Sequence, residues 1–195
     1  MRDRAFIIHG YLGYPEEAWL PWLKARLVER GFEVSLPLMP NADRPTVSEW
    51  DGFIRNLVGD PDEKTVMIAH SLGCVAVLRY LESLGAAGKA VGKTVLVAGG
   101  YPTGDWEDAP SEETDEVRTL RPWITGTVDP AKVKIAAGEC TVILSDDDPY
   151  IPVEKARAAF QANLGARIVI LHGLGHINED SRVEELPSAL EAAVS

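Results

Sequence analysis

A serine flanked by small residues lies where a buried apolar strand is predicted to end and a helix to begin. The run Ala69-His70-Ser71-Leu72-Gly73 is close to the G-x-S-x-G pattern of a strand-turn-helix nucleophile. Residues two before and two after such a serine must be small because strand and helix approach closely there, and Ala69 departs from glycine by only a methyl group. Ser71 is therefore a candidate nucleophile, with a helix N-cap as the alternative role.

A serine hydroxyl attacks poorly until a base removes its proton, so a histidine and an orienting carboxylate are required, in the chain order Ser, Asp, His. Among the aspartates 146–148, we choose Asp148 because an Asp-x-x-hydrophobic-Pro spacing typical of the acid turn begins there. Asp147 is the reserve, and turn or capping roles without chemistry are the alternative. We assign the base to His176, which lies farther into the last loop than His172; a structural role is commoner for a histidine at a strand end.

Acyl transfer also needs N–H donors for the oxyanion. Enzymes with a strand-turn-helix nucleophile supply them from the residue after the nucleophile and from the loop after the first strand. The backbone N–H groups of Leu72 and Tyr11 fit these two positions. The glycines of the run 9–13, His-Gly-Tyr-Leu-Gly, would let the backbone bend toward a substrate; a dinucleotide-binding loop is the alternative, but the third glycine of G-x-G-x-x-G is missing. The candidate substrate contacts are His9, Leu12, Trp106, Trp123, Tyr150 and Ile151. For the aromatic residues among them, packing in the core is the alternative.

The elements that must position these residues alternate between short apolar runs and helical patterns. The predicted strands are 5–8, 33–38, 65–69, 94–98, 141–144 and 167–171. The predicted helices are 17–30, 47–58, 72–84, 153–164 and 183–194, with a shorter one beginning at Asp129-Pro130. Several strands are continuously apolar, as in parallel sheets covered on both faces. We predict one α/β domain, residues 1–195, with a doubly wound, mostly parallel six-stranded sheet.

The segment 99–128 departs from this alternation. It has no clear strand, it is acidic before its first basic residue, Arg118, and it contains Tyr101, Trp106 and Trp123. Long loops inside compact domains are commonly functional, so this segment is a candidate lid over the active site. A solvated acidic excursion is the alternative.

Composition narrows the classes of partner. The net charge of −11 disfavours nucleic acid and favours neutral or cationic ligands over anionic ones. No apolar run reaches the roughly 20 residues that span a bilayer, and neither a signal peptide nor a membrane partner is predicted. Cys74 and Cys140 lack metal-ligand spacing, as do the four histidines, so we expect free thiols, no metal and a cytoplasmic location.

Together these motifs resemble the small serine hydrolases of the retinoblastoma-binding-protein-nine type, in the α/β-hydrolase superfamily. The resemblance spans nearly the whole chain and rests on the runs 9–10, 70–73, 147–152 and 175–178. It implies a triad of Ser71, Asp148 and His176, activity on short activated esters, and no cofactor. The founding member binds a pocket protein through Leu-x-Cys-x-Glu, but here Leu72-Gly73-Cys74 is followed by Val75-Ala76. Pocket-protein binding is therefore not expected.

The sequence thus predicts a serine hydrolase that cleaves a small-molecule acyl ester through an acyl-enzyme. An amidase or peptidase using the same residues is one alternative; it would need better protonation of the leaving group by His176. A binding or scaffold protein with a silent triad is the other, because a fold does not guarantee a function. In that case the acidic, tryptophan-containing segment would be the partner surface.

Overall fold

The computed structural model describes residues 2–104 and 111–195. Within them, the strands are β1 (Arg4–Ile8), β2 (Glu33–Ser35), β3 (Thr65–His70), β4 (Lys93–Val97), β5 (Glu139–Ser145) and β6 (Arg167–Leu171). These six strands form one sheet in the order β2-β1-β3-β4-β5-β6, and all five pairings are parallel. The predicted six-stranded sheet is confirmed.

Helices cover both faces of this sheet, as the doubly wound prediction requires. The helices are α1 (Leu20–Glu29), α2 (Val47–Val58), α3 (Leu72–Ala86), α4 (Asp115–Ile124), α5 (Pro130–Ala136), α6 (Val153–Leu164) and α7 (Pro187–Val194). Along β1, Phe6 and Ile8 join one apolar cluster while Ala5 and Ile7 join the other, because successive side chains of a strand point to opposite faces. The first cluster contains residues of α2 to α6, and the second contains residues of α1 and α7. None of the helices in the described ranges is long and apolar enough to cross a membrane.

Prolines account for three element boundaries that differ from the sequence prediction. Strand β2 ends at Ser35 rather than at residue 38, because Pro37 has no N–H to donate to a neighbouring strand. Helix α1 begins at Leu20 rather than at residue 17, and α7 begins at Pro187 rather than at residue 183; each has a proline within its first two positions. Proline is favoured there because its fixed φ suits a first turn that lacks N–H partners.

The acidic segment 99–128 contains a helix that the sequence analysis did not predict. Thr114 caps α4 by accepting a hydrogen bond from the Val117 N–H. Near the end of α4, the buried Trp123 packs against Trp50, with 5.3 Å between their ring centroids. Trp106 lies outside the described residues, and the role of this segment as a lid stays a prediction.

Candidate active site

Three loops at one edge of the sheet bring together the side chains selected from the sequence. Ser71 follows β3, Asp148 follows β5 and His176 follows β6. Because the strands are parallel, these loops all leave the carboxyl edge, where α/β folds commonly bind ligands. The His176 Nε2 atom lies 2.8 Å from Ser71 Oγ, and its Nδ1 atom lies 2.8 Å from Asp148 Oδ2. The three residues form one hydrogen-bonded chain.

Ser71 lies on a strained turn between β3 and α3. Its φ of 52° and ψ of −123° are rare for a residue with a side chain, and such strain concentrates at functional positions. A Cβ placed on Gly73 would lie 2.6 Å from the carbonyl oxygens of Ile8 and His9, which explains the glycine at that position. Ser71 occupies the N-cap position of α3, but its side chain makes no capping hydrogen bond, so helix capping does not account for the hydroxyl.

The loop after β1 passes directly over this turn. A Cβ placed on Gly10 would lie 2.8 Å from Ser71 Cβ and 3.4 Å from Ser71 Oγ. No acceptor is found for the backbone N–H of Tyr11 or of Leu72 within residues 2–104 and 111–195. Leu72 is also the first residue of α3, a helix of 15 residues, and the N-terminus of a helix favours negative charge. Both N–H groups remain predicted oxyanion donors.

The hydrogen bonds of His176 define which ring nitrogen carries its proton. A carboxylate can only accept, so Nδ1–H donates to Asp148 and Nε2 is left to accept from the Ser71 hydroxyl. A general base requires this arrangement. The Asp148 side chain is only 1% exposed, and its Oδ1 also accepts from the N–H groups of Tyr150 and Ile151, at 2.9 and 3.1 Å. These donors satisfy the buried carboxylate and fix its orientation toward His176.

The residues just before Asp148 hold the histidine loop, a role that the sequence analysis missed. Ser145, Asp146 and Asp147 each accept a backbone hydrogen bond from the loop 172–176. The signal in the sequence was the unbroken run of short polar acceptors after β5, which suits backbone amides in an adjacent loop. The bonds are Leu174 N to Ser145 Oγ at 3.0 Å, Gly173 N to Asp146 Oδ1 at 3.1 Å and Gly175 N to Asp147 Oδ1 at 2.8 Å.

The reserve candidates for acid and base are placed elsewhere. Asp147 Oδ1 accepts hydrogen bonds from the Ser145 hydroxyl and from the Gly175 N–H, so this carboxylate binds the loop rather than His176. The hydrogen bond from Ser145 lowers the pKa of the Asp147 carboxyl. The His172 side chain is 84% exposed, and its Nδ1 lies 2.6 Å from Asp146 Oδ2. This hydrogen bond lowers the pKa of the Asp146 carboxyl. The structure therefore brings Asp148 and His176, rather than Asp147 and His172, to Ser71.

Two buried rings support the backbone that carries His176. Burial lowers the pKa of His70 to about 4, so its ring is neutral near pH 7. Its Nε2–H donates to the carbonyl oxygen of His176 at 3.0 Å, since a carbonyl can only accept. The indole N–H of Trp19 donates to the next carbonyl, that of Ile177, at 2.8 Å. The two rings meet edge to face, with centroids 6.0 Å apart, and together they position the base.

Two of the candidate substrate contacts belong to the core, which corrects the sequence prediction. His9 is fully buried, its Nδ1–H donates to the Gly10 carbonyl at 2.9 Å, and its Nε2 accepts from the Met39 N–H at 2.8 Å. Trp123 is 1% exposed and donates its indole N–H to the Pro45 carbonyl at 3.1 Å. Neither side chain has a free polar atom or an exposed face for a substrate.

The other described candidates lie at the surface of the site. The Tyr150 side chain is largely exposed and meets the His176 ring edge to face, with centroids 5.0 Å apart. Leu12 is also largely exposed, and its N–H donates to the Ala42 carbonyl at 2.8 Å. Ile151 is half-buried beside Asp148. These three remain predicted substrate contacts.

Comparison with known proteins assigns the chain to a family. A family model described as "Serine hydrolase" matches residues 5–193. The chain belongs to the serine hydrolase family. YdeN of Bacillus subtilis (strain 168) is 31% identical to this serine hydrolase over 195 residues, which are 100% of this chain and 96% of YdeN. The resemblance that the sequence motifs indicated is confirmed.

Solved structures confirm the α/β-hydrolase fold. The crystal structure of the ydeN gene product from B. subtilis matches this serine hydrolase with a TM-score of 0.81 at 28% identity, over 97% of this chain and 95% of the other. Est1E from Butyrivibrio proteoclasticus matches with a TM-score of 0.70 at 19% identity, over 98% of this chain and 85% of Est1E. At this low identity, the likeness to Est1E shows only that the two proteins share a fold.

Proposed function

We propose that this serine hydrolase cleaves acyl esters of small molecules through a covalent acyl-enzyme on Ser71. The observation that carries the proposal is the hydrogen-bonded chain from Ser71 Oγ through His176 to Asp148, with 2.8 Å at each junction. A serine becomes a nucleophile when a base accepts its proton and a third group orients that base. The strained turn at Ser71 supports the same chemistry, as do the N–H groups of Tyr11 and Leu72, which have no acceptor in the part of the chain that the structure describes.

The first half of the reaction forms the acyl-enzyme. Ser71 Oγ attacks the ester carbonyl carbon while His176 Nε2 takes the hydroxyl proton, and Asp148 stabilises the resulting imidazolium. The N–H groups of Tyr11 and Leu72 donate to the oxyanion, where hydrogen bonds strengthen as charge develops. When the tetrahedral intermediate collapses, the carbon–oxygen bond of the ester breaks. His176 then gives its proton to the departing alkoxide, which leaves as an alcohol.

The second half releases the acid by the same groups. Water replaces the alcohol, His176 Nε2 takes a proton from it, and the resulting hydroxide attacks the acyl carbonyl carbon. Collapse of this second intermediate breaks the bond to Ser71 Oγ. The proton on His176 returns to Ser71, so the enzyme is restored and the carboxylic acid leaves.

An ester suits this site better than an amide. An amine leaving group demands fuller protonation and closer clamping than an alkoxide, whereas the side chains of Tyr150 and Leu12, two predicted substrate contacts, are largely exposed. Est1E, which shares the fold, has been solved with ferulic acid bound. That observation concerns Est1E, and it supports a small organic acid as the kind of acyl group to test first.

The bond specificity is tested with a matched pair of acetyl substrates, 4-nitrophenyl acetate and 4-nitroacetanilide. We expect kcat/KM for the ester to exceed that for the anilide by about a hundredfold or more, the range that proton transfer by a positioned group contributes. Comparable rates on the two substrates would favour an amidase. If the folded protein cleaved neither these two substrates nor any member of a wider panel of acyl esters, a binding protein would be favoured.

The acid of the proposed triad is tested by replacing Asp148 with asparagine. Asp148→Asn is expected to lower kcat on 4-nitrophenyl acetate by roughly 10⁴-fold, because an amide can donate to Nδ1 and so favours the wrong tautomer of His176. The matched control, Asp147→Asn, keeps the acceptor oxygen for the Gly175 N–H and should lower kcat by less than about tenfold. A larger loss in Asp147→Asn than in Asp148→Asn would reassign the acid.

A further inference from the structure

The peptide group that joins Gly10 to Tyr11 is held through its carbonyl oxygen. The Gly10 carbonyl accepts a hydrogen bond from His9 Nδ1–H at 2.9 Å and another from the Gly13 N–H at 3.2 Å. A trans peptide group is planar, and its C=O and N–H point in opposite directions. The two bonds that fix the direction of the Gly10 carbonyl therefore also fix the direction of the Tyr11 N–H.

The same peptide group lies against the proposed nucleophile. A Cβ placed on Gly10 would lie 2.8 Å from Ser71 Cβ and 3.4 Å from Ser71 Oγ. The carbonyl of the peptide is bound by His9 and Gly13, whereas the Tyr11 N–H has no acceptor among the described residues. The N–H is therefore the polar group of this peptide that remains open to a ligand beside Ser71.

The turn that follows this peptide is strained. The bond from the Gly13 N–H to the Gly10 carbonyl closes a four-residue turn, in which Leu12 has a φ of 58°. This left-handed region favours glycine, and other residues stay there only where the surrounding contacts hold them. The contacts here are the bond from the Leu12 N–H to the Ala42 carbonyl, at 2.8 Å, and the bond from His9. The turn therefore depends on His9 to keep its first peptide in place.

The His9 ring is itself fixed in one tautomer and one orientation. It is fully buried, and its Nε2 accepts from the Met39 N–H at 2.8 Å. A backbone N–H can only donate, so Nε2 carries no proton and the ring proton is on Nδ1. The ring meets Trp50 of α2 edge to face, with centroids 6.2 Å apart, and Trp50 Nε1 donates to the Pro40 carbonyl at 2.8 Å. Helix α2 thus holds both the ring and the segment that sets its tautomer.

We propose that His9 is a positioning residue that directs the Tyr11 N–H toward the oxyanion by holding the Gly10 carbonyl. The inference rests on the proposed function, in which this N–H is one of the two oxyanion donors. His9 acts through the peptide plane and needs no contact with the substrate. Without its bond the peptide can rotate, and the lost donor weakens binding of the transition state more than binding of the substrate.

Two amide variants separate the roles of the two ring nitrogens. Asparagine places its amide near the position of Nδ1, so His9→Asn can still donate to the Gly10 carbonyl but offers the buried Met39 N–H no acceptor. Glutamine places its amide near the position of Nε2, so His9→Gln can accept from Met39 but loses the donor to Gly10. A buried N–H without an acceptor costs stability, whereas the Gly10 carbonyl keeps its bond from Gly13. The proposal therefore predicts opposite orders of activity and stability.

The test measures kcat and KM on 4-nitrophenyl acetate, together with unfolding in urea. His9→Gln is expected to lower kcat by roughly ten- to a hundredfold, up to what loss of one oxyanion donor costs, with KM within about threefold of the wild type. His9→Asn is expected to keep kcat within about threefold but to unfold at a lower urea concentration than His9→Gln. A merely structural role would make the loss of kcat follow the loss of stability.

Thr94→Val is the control for lost stability. It removes the buried hydrogen bond from Thr94 Oγ1 to the Ala137 carbonyl, 2.7 Å long, near the amino end of β4 and away from the site. Its kcat should stay within about twofold of the wild type. If folded His9→Gln kept kcat within about twofold, or if His9→Asn lost as much as His9→Gln, the proposal would be overturned.

Crystal structures of the wild type and His9→Gln provide a second test that does not depend on activity. We expect the Gly10–Tyr11 peptide to turn in His9→Gln, and an unchanged orientation would overturn the role of His9. Failure of the folded wild type to cleave any acyl ester would contradict the proposed function instead. The orientation of the peptide would then still decide whether His9 fixes the Tyr11 N–H.

Discussion

Ser71→Ala is expected to lower kcat for 4-nitrophenyl acetate by a factor on the order of 10⁵ to 10⁶. Without Oγ no acyl-enzyme can form, and His176 has no hydroxyl to activate. The oxyanion donors and the binding surface remain, so a small residual rate from direct attack by water is expected. Initial rates of wild type and variant, each corrected for spontaneous hydrolysis, measure the effect.

A serine on the same helix provides the control. Ser83 lies on α3 and donates its hydroxyl hydrogen bond to the Tyr80 carbonyl within that helix, so Ser83→Ala changes one hydroxyl without touching the proposed site. Ser83→Ala should keep kcat within about twofold of the wild type, because surface substitutions away from a functional site rarely have larger effects. If folded Ser71→Ala retained more than about a tenth of the wild-type kcat, another residue would have to be the nucleophile.

His176→Ala is expected to lower kcat as much as Ser71→Ala does, by a factor on the order of 10⁵ or more. In the proposed mechanism the imidazole takes the hydroxyl proton and later gives it to the leaving group, and no other described side chain lies between Ser71 and Asp148 to do so. The rates are measured as for Ser71→Ala, with circular dichroism to confirm the fold.

His172→Ala is the control for this second prediction, since it removes an imidazole from the same loop. His172 is exposed and pairs with Asp146, and such exposed pairs contribute little to stability. Its kcat should stay within roughly threefold of the wild type. A large loss in His172→Ala together with a small one in His176→Ala would exchange the two assignments.

The three proposed catalytic residues could be predicted because, in this fold, the order of strands along the chain determines where the loop after each strand lies. Parallel strands deliver their carboxyl ends to one edge, so Ser71, Asp148 and His176 needed only to follow strands in the expected order. The roles of His9 and Trp123 could not be predicted in this way. His9 accepts a hydrogen bond from Met39, 30 positions away, and Trp123 donates one to Pro45, 78 positions away. No local pattern indicates such partners.

Capping signals in the sequence predicted the start of α2 but not the start of α4. A Thr-x-x-Glu capping box is visible at the start of α2, where the Thr46 side chain accepts from the Glu49 N–H at 3.4 Å and the helix begins as predicted. A comparable signal, Thr114 before Asp115 and Glu116, marks the start of α4. The acidic composition and the internal Pro122 hid this helix, because proline normally breaks a helix interior.

Covalent labelling with a fluorophosphonate, read by intact mass spectrometry, tests the central claim most directly because it needs an activated serine and no knowledge of the substrate. Wild type and His172→Ala should each gain the mass of one phosphonyl adduct, while Ser71→Ala and His176→Ala, shown to be folded, should gain none in the same time. Failure of the folded wild type to label, or an adduct on Ser71→Ala, would contradict the assignment of Ser71 as an activated nucleophile.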